Sequence, residues 1–134
     1  MARKTILTVD DDPVVREAVN HFLSDEYNIL VAQDGHEAYQ LTQEQSIDLI
    51  LLDIMMPGFD GFSTLLLLKN DPATRGIPIV MLTAVGRKEK VIAAFRDGAS
   101  GYVLKPFDRD TLKRKIDAVL SQSAEQAAQQ NLES

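Results

Sequence analysis

Leu49–Leu52 reads LILL and Ile79–Leu82 reads IVML. Neither stretch alternates apolar with polar residues. A strand with one wet face alternates with a period of two, whereas a continuous apolar strand is buried on both faces. Two such strands point to a parallel sheet covered by helices. Thr5–Val9, Ile29–Ala32 and Tyr102–Leu104 are similar short runs, and with Asp48–Leu52 and Ile79–Leu82 they make five candidate strands. Helical patterns lie between them. Pro13–Ser24 sets Val15, Ala18, Val19, Phe22 and Leu23 on one stripe, with Asp12 placed as cap and Pro13 as first helical residue. His36–Gln45 follows Asp34-Gly35, Phe62–Asn70 follows Asp60-Gly61, and Arg87–Asp97 stops at Gly98. Asp108 caps a last helix that carries Leu112, Ile116, Val119 and Leu120 on one side. Strand and helix alternate five times, which predicts an α/β fold with helices on both faces. Leu65–Leu68 places four leucines around one helix, so at least one is expected to face outward, as crowded surface or as a partner contact.

The 134 residues suffice for one domain with its own core, and 45 % apolar with 25 % charged residues is the ordinary globular mix. The expected folded domain is residues 1–120. Ser121–Ser134 is Gln/Ala-rich and reads as a polar tail, a continuation of the last helix or a linker. The absence of cysteine excludes a disulfide framework, a thiolate zinc site and a cysteine nucleophile. No apolar run is long enough to span a bilayer, and the N-terminus turns acidic before a signal core forms, so a cytoplasmic protein is expected. A net charge of −6 repels phosphate backbones, so direct nucleic-acid binding is not expected. Two basic clusters, Arg87, Lys88 and Lys90, and Lys113, Arg114 and Lys115, read as solvated helix faces or as docking surfaces.

The chemistry gathers at strand ends. Asp10, Asp11 and Asp12 follow the first strand, Asp53 the third, Thr83 the fourth and Lys105 the fifth. In a parallel sheet these ends share one edge, and ligands bind there. Crowded carboxylates repel one another unless a cation sits among them, and their hard oxygens suit Mg²⁺, with Mn²⁺ as an alternative. A hydroxyl and an ammonium nearby are the groups wanted around a transferring phosphoryl group, and one carboxylate is a candidate to attack phosphorus. Taken singly, each piece has a bland reading: a polar loop with a helix cap, a strand-end hydroxyl, a strand-end Lys-Pro. Their joint placement at four strand ends is what carries weight.

With those residues in view, the sequence resembles the receiver domain of bacterial response regulators, over about residues 4–120. The matching motifs are ILTVDDD (Ile6–Asp12), LILLDIMMPGFDGF (Leu49–Phe62), IVMLTA (Ile79–Ala84) and GASGYVLKPF (Gly98–Phe107). The resemblance implies a doubly wound, flavodoxin-like sheet in the order 2-1-3-4-5, an order that periodicity alone does not supply. It implies that Asp53 is the phosphoryl acceptor. It implies a Mg²⁺ ion held by Asp10, Asp11, Asp53 and the Met55 carbonyl. Lys105 then contacts a phosphoryl oxygen and helps hold Asp53, while Thr83 bonds the phosphoryl group with help from the Ala84 amide. Tyr102 is the aromatic that swings inward as Thr83 moves. Asp12 reads as a helix cap, and Pro57 and Gly61 as shapers of the loop after Asp53, Gly61 through a positive φ and Pro57 by stiffening the turn.

The implied function is a switch in a phosphorelay rather than a turnover enzyme. The phosphoryl group comes from a phosphohistidine on a sensor histidine kinase or phosphotransfer protein. The aspartyl phosphate then repacks the face formed by the fourth helix, fifth strand and fifth helix, and this controls an effector, an output domain or a phosphorylation-dependent homodimer. Thr111 and Lys115 depart from the Glu and Arg found in receivers that dimerise through a salt-bridged last helix. Met55 and Val85 flank the pocket as apolar groups that cannot hold an attacking water, which predicts slow self-dephosphorylation. The competing enzyme reading is a magnesium-dependent phosphohydrolase of the haloacid-dehalogenase type, with Asp10 as nucleophile. The chain has neither a cap domain nor a later acidic pair for it, and the motif around Asp53 is left unexplained.

Overall fold

The computed structural model describes residues 3–56 and 60–133, and for 127 and 130–133 the backbone alone. Ten elements alternate: β1 (Thr5–Val9), α1 (Pro13–Leu23), β2 (Asn28–Ala32), α2 (Gly35–Glu44), β3 (Leu49–Leu52), α3 (Gly61–Asn70), β4 (Ile79–Thr83), α4 (Lys88–Arg96), β5 (Gly101–Leu104) and α5 (Arg109–Glu133). The strands form one parallel sheet in the order β2-β1-β3-β4-β5.

The period of two along each central strand divides the core into two halves. Leu7, Val9, Ile50, Leu52, Ile79 and Met81 pack with Leu65 and Leu68 of α3 and Ala94 of α4. Their neighbours Ile6, Leu49, Leu51, Val80 and Leu82 pack with Val19 and Leu23 of α1 and Leu112, Ile116 and Val119 of α5. Both halves are almost fully buried, which is why LILL and IVML carry no polar residue. At roughly 25 cal/mol per Å², each such Leu or Ile contributes about 1.5–3 kcal/mol by leaving water.

The helix starts follow local chemistry. Asp12, Asp34 and Asp60 each accept a bond from a backbone N–H of the first turn, at 2.9, 2.8 and 2.8 Å. Asp108 does the same for the Thr111 amide at 2.7 Å. Gly98, with φ +111°, takes the left-handed conformation just past α4, where a side chain is strained. Of the four leucines on α3, Leu65 and Leu68 are buried while Leu66 and Leu67 are exposed.

Most element boundaries sit within a residue of the sequence reading, and three points stand out. Thr83 is the last residue of β4, paired with Leu104, rather than the residue after the strand. Helix α4 is a residue shorter at each end than Arg87–Asp97. Of the alternatives left open for the segment after Leu120, the helix continuation is the one observed, since α5 runs to Glu133 and Ala, Gln and Glu all favour helix.

Candidate functional site

The ladder of the sheet continues one step past the strand ends and delivers the site. The Asp10 amide donates to Ala32 O at 3.0 Å, the Asp53 amide to Val9 O at 3.1 Å, and the Lys105 amide to Thr83 O at 2.9 Å. Asp10, Asp53 and Lys105 are thereby fixed at the carboxyl edge where β1, β3, β4 and β5 meet. The central pair, β1 and β3, lies next to the reversal in strand order, where crevices form in such sheets.

Carboxylate oxygens of Asp10, Asp11 and Asp53 lie within 4.8 Å of one another. Asp10 is 2 % and Asp53 4 % exposed, whereas Asp11 faces solvent. Lys105 Nζ lies 2.7 Å from Asp10 Oδ2 and 3.1 Å from Asp53 Oδ2 and bridges them. The remaining oxygens take backbone donors: Asp12 N–H to Asp10 Oδ1 at 2.9 Å and Met55 N–H to Asp53 Oδ1 at 3.2 Å. Asp11 makes no side-chain hydrogen bond or ion pair among the described residues.

One ammonium stands against three carboxylates. Burial raises the Asp10 pKa above the usual carboxylate value, and the Asp53 charge adds to this, against the opposing pull of Lys105 and the Asp12 amide. Burial disfavours the Lys105 ammonium, but its bonds to Asp10 and Asp53 outweigh burial and raise its pKa. The cluster therefore carries surplus negative charge among hard oxygen donors. That donor set fits a small divalent cation: Asp10, Asp11 and Asp53 offer the carboxylate oxygens, and Met55 has its backbone at the same edge.

Thr83 is fully buried, and its Oγ1 accepts a 3.3 Å bond from the Val85 amide. Tyr102 is half-buried against the apolar cluster of β3, β4 and α3, and its hydroxyl donates to the Val85 carbonyl. Burial, and then the charge of Asp53, raise the Tyr102 pKa. Thr83 and Tyr102 thus both engage Val85, one through its N–H and one through its C=O. Met55 is 65 % exposed at the rim.

Gly61 needs a different explanation from the one expected. Its φ is not positive. A Cβ there would stand 2.1 Å from the Asp53 carbonyl oxygen and 2.5 Å from Ile54 Cα, while the Gly61 amide donates to Ile54 O at 2.9 Å. Glycine is required because α3 starts against the backbone of Asp53 and Ile54. Pro57 lies outside the described residues. Sequence reasoning also missed Arg16, whose Nη1 donates to the Asp10 carbonyl at 2.7 Å. The one signal available was a cation near a helix N-terminus, where the helix field disfavours it.

Comparison with known proteins gives the family. Residues 6–117 match the family model of the response regulator receiver domain, and the chain belongs to that family. The phosphate regulon transcriptional regulatory protein PhoB of Pseudomonas aeruginosa is 40 % identical over 121 residues, 90 % of this chain and 53 % of that protein. The transcriptional regulator RpaA of Synechocystis is 38 % identical over 116 residues, 86 % of this chain and 48 % of that protein. The chain thus spans about half the length of these curated relatives. Among solved structures, the chemotaxis protein CheY4 of Vibrio cholerae aligns with a TM-score of 0.84 at 34 % identity, covering 88 % of this chain and 99 % of that one. NtrX from Brucella abortus aligns with a TM-score of 0.91 at 29 % identity, covering 98 % of this chain and 30 % of that one. The sheet order implied by the resemblance is the order observed. Among the described residues, no helix is long and apolar enough to cross a membrane.

Proposed function

We propose that this chain is a phosphoacceptor switch in which Asp53 accepts a phosphoryl group from a phosphohistidine. The observation that carries the reading is the Lys105 ammonium bridging two nearly buried carboxylates beside a third, exposed one. An Asp53 carboxylate oxygen attacks phosphorus in line, the P–N bond to the donor imidazole breaks, and the imidazole leaves with the N–P electron pair and takes a proton. A divalent cation, Mg²⁺ or Mn²⁺, held by Asp10, Asp11, Asp53 and the Met55 carbonyl would neutralise charge on the transferring group. Lys105, fixed by Asp10, supplies positive charge at Asp53 without having to move far. The donor is a sensor histidine kinase or a histidine phosphotransfer protein, which places the reaction in the cytoplasm. Hydrolysis of the acyl phosphate resets the switch, so the protein is consumed and regenerated as a signal rather than working as a turnover enzyme.

The new phosphoryl oxygens compete for the Thr83 hydroxyl and the Ala84 amide. Because Thr83 and Tyr102 share Val85, a shift at one is passed to the other. The readout face is α4, β5 and α5, where Ile92, Phe95 and Leu104 are about half exposed (55, 46 and 49 %). It addresses an effector, an output domain joined through the polar segment 121–134, or a second phosphorylated copy. Intact mass after incubation with Mg²⁺ and acetyl phosphate tests the reading. One labile phosphoryl group on the wild type and none on Asp53→Ala is expected, and equal adducts on both refute it.

A further inference from the structure

We propose that Arg16 is a positioning residue for the acidic site: by gripping the Asp10 carbonyl it aims Asp11. The inference rests on the reading of Asp10, Asp11 and Asp53 as a divalent-cation site. Asp10 is held from every side. Its N–H donates to Ala32 O, its Oδ1 accepts from the Asp12 amide and its Oδ2 from Lys105. Its carbonyl is the acceptor of Arg16 Nη1 at 2.7 Å. That carbonyl belongs to the peptide plane joining Asp10 to Asp11, and the plane is rigid. Its orientation decides where the Asp11 Cα sits. The exposed Asp11 carboxylate has no hydrogen-bonding or ion-pair partner among the described residues, so the backbone is what aims it. A charge-assisted bond is roughly twice as strong as a neutral one, which suits it to fixing a loop. Arg16 has no carboxylate at ion-pair distance among the described residues, although the chain holds 20 Asp and Glu. Its donor is committed to a backbone oxygen instead.

The direction of the effect separates this role from a bare charge. A guanidinium beside an acidic loop repels a divalent cation, so deleting it as a mere charge tightens cation binding. Deleting a positioning group weakens it. The measurement is Mn²⁺ affinity of the whole chain, from the free-ion electron paramagnetic resonance signal. The proteins are wild type, Arg16→Met, Arg16→Lys, Asp11→Asn and the Arg16→Met/Asp11→Asn double variant, each checked for fold by circular dichroism. Arg16→Met is expected to lose on the order of tenfold in affinity, the scale for outer groups that orient metal ligands. Arg16→Lys keeps a charged donor and should recover most of the loss. In the Asp11→Asn background, Arg16→Met should add less than about twofold, because the group it aims is gone. Unchanged or tighter binding in Arg16→Met overturns the inference, as does a full additive loss in the double variant. If the wild type itself binds no Mn²⁺, the cation site falls and the inference with it. Wild-type binding that Arg16→Met leaves untouched removes the inference alone.

Discussion

Asp11→Asn should stabilise the protein without divalent cation and forfeit most of the stability that such a cation confers. Oxygens of Asp10, Asp11 and Asp53 lie within 4.8 Å of one another. Two unit charges at that separation repel by about 3.5 kcal/mol at an effective dielectric of about 20. Lys105 answers Asp10 and Asp53 at 2.7 and 3.1 Å, but makes no ion pair with Asp11. Asp11 is exposed, so water and salt reduce the repulsion it causes to about 1 kcal/mol. Removing the charge therefore raises the free energy of unfolding by about that much in EDTA. With Mg²⁺ at a hundred times its Kd, the wild type gains about 2.7 kcal/mol by linkage, while the variant, short of one carboxylate ligand, gains little. The stability order of the two proteins inverts between the two conditions. Urea unfolding followed by far-ultraviolet circular dichroism suits a chain with no Trp. A variant less stable than wild type in EDTA, or one that gains as much from Mg²⁺, refutes the reasoning.

Three further outcomes follow from other parts of the site. Gly61→Ala forces a methyl to within 2.1 Å of the Asp53 carbonyl, so α3 must shift; we expect about 3 kcal/mol of destabilisation and slower phosphoryl uptake, and near-wild-type urea midpoints would contradict it. Val85→Glu and Met55→Asn each supply a group able to hold water at the pocket rim, and each should shorten the aspartyl-phosphate lifetime several-fold, read as phosphate release; unchanged lifetimes would sink the idea. The raised pKa of Asp10 has a definite sign: its contribution to stability is full below the ordinary aspartate value, 3.8, and is lost as pH rises through the elevated folded value. In EDTA, the stability of wild type relative to Asp10→Asn should therefore fall as pH is raised from 3.8 through the elevated folded value and level off above it, and a difference that stays flat or rises across that interval contradicts the burial argument.

How much of this was legible in the sequence depended on whether the cause was local. LILL and IVML announced their double burial because no polar residue can be spared where two helical layers cover a strand. The caps at Asp12 and Asp108 were legible because each acts within three residues of itself. Strand order was not legible from periodicity, because every parallel order presents the same apolar runs, and it came only with the resemblance. Lys105 was placed at the right edge, but its tighter bond to Asp10 than to Asp53 depends on packing across 95 residues of sequence. Gly61 was singled out for the wrong reason. A glycine in sequence does not say whether φ or a close backbone approach requires it. The continuation of α5 was undecidable because an Ala/Gln segment satisfies helix, tail and linker alike. Arg16 acts on a backbone oxygen, and the one trace of that in the sequence is a cation near a helix N-terminus.

Borohydride reduction of the phosphorylated wild type, followed by peptide mapping, tests the central claim most directly. An aspartyl phosphate is reduced to homoserine, so the product records which carboxylate held the phosphoryl group. Homoserine at position 53, with Asp10 and Asp11 unmodified, is the predicted result. Homoserine at position 10 or 11 would contradict the assignment of Asp53 as acceptor, and at position 10 it would return the site to the phosphohydrolase reading.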